Sequence, residues 1–325
     1  MRGSAFLFAS FALVTLTAAA CGPTASGGDD DDDDDGTGGI DAGQHTGGDG
    51  GDTPVTGECR KMDLIFVVDD SGSMEQEQTN LATNFPMFAS LLNSYTISTG
   101  ETLDYRAAVT TTGVTAMMTQ TTPAFPPLPP ISVPINQTGM DGKFRQVSGM
   151  TRAWVERTDP NMATTFASAA SVGINGPGIE MQLRAMELAI QPSTNPGFIR
   201  QDALLGIVIL TDEDDCSFRQ ASGIDISGVD GCVGTPGIPA AADFLQPLDQ
   251  LKGERGRWAA AVIAAQSDCT SSFGNAVEGV RLKQFQAASP QNIVFGDICQ
   301  GNLQGALMQA LDSFQAACEN FPPID

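Results

Sequence analysis

Asp69, Ser71 and Ser73 occupy alternate positions in Val67-Val68-Asp69-Asp70-Ser71-Gly72-Ser73-Met74, just where the apolar run Leu64 to Val68 stops. One carboxylate and two hydroxyls are hard oxygen donors, suited to Mg²⁺, Ca²⁺ or Mn²⁺ rather than zinc or copper. Such sites keep room for water or for a partner's carboxylate. A tight turn at the carboxyl end of a buried parallel strand aims alternate side chains at one point, and open α/β sheets present their ligand loops there. The same serines can instead cap the helix expected over residues 75–92 by accepting its open amides.

A second apolar run, Leu204 to Leu210, ends abruptly in Thr211-Asp212-Glu213-Asp214-Asp215, as a central strand running into a loop would. Together the two segments resemble the von Willebrand factor type A (vWA) domain, whose metal-ion-dependent adhesion site begins with Asp-x-Ser-x-Ser and takes a later carboxylate from a Thr-Asp. The resemblance covers about Cys59 to Phe321 and implies an α/β fold: a doubly wound, mostly parallel central sheet with helices on both faces. It also implies that Asp69, Ser71, Ser73 and Asp212 share one divalent cation (Mg²⁺, Ca²⁺ or Mn²⁺), and that this cation captures an acidic side chain of a protein partner. The family's further Thr has no counterpart in Gly173-Ile174-Asn175-Gly176-Pro177-Gly178-Ile179-Glu180, ahead of the helix expected over residues 181–190. Glu180 or water can lend the missing oxygen, while Gly-Pro-Gly is equally a turn before a helix.

The elements that must carry these loops are preceded by a very different segment. Residues 1–20 hold a single charge, Arg2, and end in Ala18-Ala19-Ala20 before Cys21. This reads as an export signal. Small residues before a cysteine resemble a bacterial lipoprotein signal, in which Cys21 is acylated and becomes the new amino terminus; cleavage at an Ala-x-Ala site without acylation is the alternative. Gly22 after the cysteine resembles lipoproteins that travel to the outer membrane. Residues 21–57 are Gly, Asp, Thr and Ser, with an unbroken acidic run from Asp29 to Asp35, and cannot bury a core. They read as a disordered, self-repelling tether, a calcium-repeat reading being weakened by the lack of a regular period.

Of the formal charge of −23, ten acids lie in that tether, leaving −13 for the rest, so nucleic acid and anionic lipid headgroups are discounted as partners. The one histidine, His45, also falls in the tether, which excludes a His-based triad or zinc site from the folded part. No phosphate-cradling glycine loop with Lys appears. The chain is therefore read as a non-enzyme, with metal-assisted hydrolysis a formal alternative.

Seven cysteines leave six once Cys21 is set aside, an even number that after an export signal suggests disulfides; sequence alone does not select their connectivity. In a vWA-like fold the place of Cys59, before the first strand, lies close to that of Cys318, at the end of the last helix. On that basis we expect Cys59–Cys318, Cys216–Cys232 and Cys269–Cys299. The second bridge would staple the loop after Asp212, whose Glu213, Asp214 and Asp215 are either solvated charge or the makings of a second cation site.

Elsewhere, residues 104–112 read as a second strand ending in a Thr run, 258–265 and 291–295 as later strands, and 303–318 as a closing helix with Leu303, Leu307, Leu311 and Phe314 on one face. Residues 113–175 read as an insertion within the domain, 58–321. Its Pro-rich part, 119–134, is incompatible with helix or central strand, and its Phe125 and Leu128 either dock a partner or pack on the domain itself. Residues 144–170 are expected to cover part of the sheet. Two functions remain: an anchored adhesion or interaction module working through the metal, or a scaffold with a silent site whose partners dock on the Pro-rich segment.

Overall fold

Every residue of Met62–Val68 is buried, which requires a strand covered on both faces, and the alternation of its side chains assigns each face its own core. In the computed structural model, Leu64, Phe66 and Val68 join one apolar cluster while Ile65 and Val67 join another on the opposite side. The structure describes residues 58–322 apart from 98, 123–128, 228–231, 272–273 and 302. The signal segment, Cys21, the tether with His45, and Phe125 and Leu128 lie outside the described residues.

Along the chain the strands are β1 (Lys61–Val68), β2 (Asp104–Thr111), β3 (Ala116–Thr122), β4 (Ile131–Gln137), β5 (Val155–Glu156), β6 (Leu204–Leu210), β7 (Ile224–Ser227), β8 (Trp258–Ala264), β9 (Cys269–Ser271), β10 (Gly274–Ala276) and β11 (Ile293–Asp297). The helices are α1 (Glu75–Ser94), α2 (Met162–Ala170), α3 (Gln182–Ala189), α4 (Leu245–Lys252), α5 (Val280–Ala288) and α6 (Leu303–Glu319). The central sheet runs β11-β8-β6-β1-β2-β5, parallel except for the edge pair β2/β5. Counting only the strands of this sheet, the order is the doubly wound 3-2-1-4-5-6. From β1 the chain works outward to β2 and β5, then returns across the sheet to β6. The loops leaving β1 and β6 therefore diverge and open a crevice between them.

One core packs α1, α2 and α6 on the sheet; Phe66 meets Phe88 and Phe166 edge-to-face, with ring centroids 5.3 and 5.0 Å apart. Gly206 is required on this face: a Cβ there would lie 2.5 Å from Leu64 Cδ2 and 3.3 Å from the Phe314 ring. The other core seats α3, α4 and α5 against Ile207, Ile209, Trp258 and Val262. At the amino end of the sheet, Arg200 bonds Asp63 at 2.8 Å and Asp104 at 2.7 Å, and buried Lys252 donates to the carbonyls of Arg200, Gln201 and Ala203. Arg200 neutralises the buried Asp63 carboxylate, and the carbonyls replace the water around the Lys252 ammonium.

The segment read as an insertion is divided. Strands β3 and β4 form an antiparallel hairpin that joins β7 in a separate three-stranded sheet, with Ile131 and Val133 exposed. Pro134 is accommodated because β4 is an edge strand. Residues 155–170 instead belong to the main body, since β5 closes the central sheet and Phe166 and Ala170 of α2 enter its core. The sequence offered no sign of β5, a two-residue strand too short to carry a period.

Cysteine pairs are Cys59–Cys318, Cys216–Cys232 and Cys269–Cys299, with Cα separations of 4.8, 5.2 and 6.0 Å. The Cys59 amide also donates to the Cys318 carbonyl at 2.8 Å, so the start of β1 and the end of α6 are tied twice. Among the described residues no helix is long and apolar enough to cross a membrane.

Candidate metal centre

Sheet register brings the donors together. Val68 stands opposite Thr111 of β2 and Leu210 of β6, so the next residues out, Asp69, Thr112 and Thr211, are neighbours across three strands at the crevice. Asp69 is fully buried. Its Oδ1 accepts from the Ser71 amide at 2.8 Å and from the Thr112 hydroxyl at 3.3 Å, and its Oδ2 accepts from the Thr211 hydroxyl at 2.6 Å. Gln78 of α1 donates to the Asp69 carbonyl, and Gln182 of α3 donates to Thr211 Oγ1, fixing the two strand ends from opposite faces.

The serines do not cap α1. Ser71 stands ahead of a 3₁₀ turn, Gly72–Met74, with no side-chain capping bond. Its hydroxyl lies 2.8 Å from that of Ser73, which in turn donates to Asp212 Oδ1 at 3.2 Å. Asp69, Ser71, Ser73 and Asp212 thus form one continuous cluster across the crevice. Asp212 is 1 % exposed, its Oδ2 has no hydrogen-bond partner, and its carbonyl is held by the Val277 amide.

Glu180 lies near Asp69 and Glu213. Its segment supplies a carboxylate where the resemblance implies a Thr, and the hydroxyls on Asp69 come from Thr112 and Thr211 instead. Glu180 is 2 % exposed with Oε1 unpartnered, and its carboxyl faces that of Glu213. Glu77 of α1 adds a further buried oxygen without a partner, Oε2, on the Asp212 side. Gly176 abuts Asp70: its amide donates to the Asp70 carbonyl at 2.6 Å, and a Cβ on it would lie 2.3 Å from the Asp70 carboxylate.

The electrostatics follow from burying several acids together, with the Arg145 guanidinium near Asp70 only partly offsetting their charge. Burial, then the nearby Asp69 charge, pushes the Asp212 carboxyl up to about 8 and Glu180 up to about 10. Asp70 rises to about 6 for the same two reasons, and burial also raises Asp69 and Glu77. Carboxylates in this condition either hold protons or take up a cation. The orphaned oxygen of Asp212, beside the Ser71 and Ser73 hydroxyls and Asp69, fits a hard divalent cation. Among the described residues no three His, Cys, Asp or Glu side chains are grouped as an ion cage. The donor set is instead mixed carboxylate and hydroxyl.

Beyond Asp212, two of the three loop acids, Asp214 and Asp215, are spent on helix starts rather than left as solvated charge or cation ligands. Asp215 is 1 % exposed; it accepts from the Leu183 amide at the start of α3, from Ser217, and from Arg281 at 3.1 Å. Asp214 accepts from the Arg281 and Leu282 amides at the start of α5. Both acids satisfy helix-terminal donors and so hold α3 and α5 to the strand end.

No family model matches the chain, and no curated protein matches it in sequence. Solved structures similar to it include proximal thread matrix protein 1 from the mussel byssus with a zinc-occupied MIDAS motif, at 12 % identity and a TM-score of 0.40, covering 79 % of this chain and 46 % of that one. The pilus adhesin SpaC of Lactobacillus rhamnosus GG, in its open conformation, aligns at 12 % identity and a TM-score of 0.41, covering 78 % of this chain and 30 % of the adhesin. Manganese-loaded TRAP protein of Plasmodium vivax aligns at 15 % identity and a TM-score of 0.35, covering 76 % and 72 %. The chain spans less than half the length of the byssus and pilus proteins.

Proposed function

We propose that this chain is an exported, lipid-anchored interaction or adhesion module. In this reading Asp69, Ser71, Ser73 and Asp212, with Glu180 beside them, hold a Mg²⁺, Ca²⁺ or Mn²⁺ ion, and the ion supplies an open coordination position for a carboxylate of a protein partner. The carrying observation is the Asp69-Ser71-Ser73-Asp212 cluster at the sheet's switch point, with Asp212 Oδ2 buried and unpartnered. The chain's own residues do the positioning: Thr112 and Thr211 orient the Asp69 carboxylate, and Ser73 orients Asp212. Three paired disulfides support an oxidising compartment, hence export. Acylation at Cys21 and a tether over residues 21–57 would carry the domain away from an outer membrane.

Calorimetric titration of the chain with Mg²⁺, Ca²⁺ and Mn²⁺, beside Asp69→Ala and Asp212→Ala, tests the centre. Saturable heat lost in both variants is the expected result. Heat retained in both, or none in the parent, defeats the metal reading and leaves the scaffold reading, in which partners dock on the Pro-rich segment.

A further inference from the structure

Next to the crevice lies a cavity of about 460 Å³ whose lining includes six carboxylates and neither Lys nor Arg. Three of the six are spent: Asp215 on Arg281, Asp214 on the first amides of α5, and Glu278 on Lys283. Asp268 accepts from the Glu278 amide. The remaining two, Glu180 and Glu213, face one another, and the 2 % exposed Glu180 leaves Oε1 without a partner. The walls are apolar: Ile179, Val280 and the Cys216–Cys232 bridge line it, and Val233 and Val277 stand 47 % and 55 % exposed. Acidic groups behind apolar lips match a side chain with a methylene stem and a cationic head.

We propose that this cavity binds an Arg or Lys side chain of the protein partner, its charged head at Glu180 and Glu213 and its stem along Val233 and Val277. The inference rests on the partner-capture reading above and deepens it. Glu180 is the wall common to the metal centre and the cavity, so the partner would present a basic residue close to the carboxylate taken by the ion. Asp215 and Asp214 hold α3 and α5 in place around the cavity, and the Cys216–Cys232 bridge keeps one wall fixed.

The test uses the full chain in neutral detergent with chelator present, observed through the methyl resonances of Ile179, Val233, Val277 and Val280. N-acetyl-arginine amide is the probe, and N-acetyl-citrulline amide is its uncharged, isosteric control. Saturable shifts of these methyls with the arginine probe are expected, with affinity roughly tenfold weaker for citrulline and for Glu213→Gln/Asp268→Asn. Equal binding of the two probes, or no shift of these methyls, overturns the proposal even if the double variant does not fold. Cation titration of the same protein after removal of the chelator separates the two readings. Cation heat without methyl shifts refutes the cavity proposal alone, while methyl shifts without cation heat support the cavity and defeat the metal centre.

Discussion

Asp212→Asn should change the stability of this protein differently with and without a divalent cation. The Asp212 carboxyl is buried among Asp69, Glu77 and Glu213 and sits at about 8, against an ordinary 3.8. A group raised in the folded state favours folding at low pH. That contribution is fully present below 3.8 and is lost progressively as pH rises toward 8, because the unfolded chain gives up its proton first. At pH 7 the difference spans about three pH units, an upper-limit penalty of about 4 kcal/mol for the cation-free protein. An asparagine keeps the oxygen that accepts from Ser73 and sets an amide where Oδ2 has no partner, facing acids that can accept from it. In chelator at pH 7 the variant should therefore melt higher, on the order of 10 °C for a domain of this size, with the gap vanishing below pH 4. Cation at a hundredfold excess over its dissociation constant should raise the parent by about 2.7 kcal/mol and leave the variant unmoved, so the gap narrows. Thermal melts over pH 4–8, with chelator and with Ca²⁺ or Mg²⁺, measure all of this. A variant that melts below the parent in chelator, by an amount cation does not alter, would show that Asp212 is an ordinary structural acid and refute the reasoning.

Gly176→Ala drives a Cβ into the Asp70 carboxylate beside Asp69, so cation affinity should fall roughly tenfold or more by calorimetry with all ligands retained. Removing the Cys59–Cys318 bridge as a double Ala variant opens a loop of sequence separation 259, and chemical denaturation should show a loss of up to about 5.5 kcal/mol in the chain-entropy account. Arg281→Met strands Asp215 in the interior, and the same denaturation experiment should show a loss of about 3–5 kcal/mol. Unchanged stability in that variant would mean that the Leu183 amide and Ser217 suffice to hold Asp215.

The central layer was legible because buried parallel strands write themselves as unbroken apolar runs, as Leu64 to Val68 and Leu204 to Leu210 do. Both runs end in oxygen-bearing residues, and the structure brings those ends together. Thr112 was harder to see. It closes a Thr run on β2, and nothing within the run sets it apart from Thr110 and Thr111; only the register of Val68 with Thr111 puts it against Asp69. Asp214 and Asp215 were misread for a related reason. A run of acids after a strand looks solvated in one dimension, and the helix starts that consume them are contributed by α3 and α5, distant in sequence. The hairpin β3/β4 was hidden by Pro134, which an edge strand tolerates and a central strand does not.

The double tie between Cys59 and Cys318 decides how this domain would carry load. The chain enters β1 at one end of the sheet, and the candidate centre sits at the other end of the same strand. A pull between the amino terminus and something gripped at Asp69 therefore runs lengthwise along β1. That strand is hydrogen-bonded on both sides, to β2 and β6, so the ladders are strained together in shear rather than opened one rung at a time. With the bridge in place the pull reaches α6 covalently as well, and tension at the entry point cannot peel the first strand away from the closing helix. In the anchored reading proposed above, grip and tether would act at opposite ends of a strand held by its neighbours on both sides.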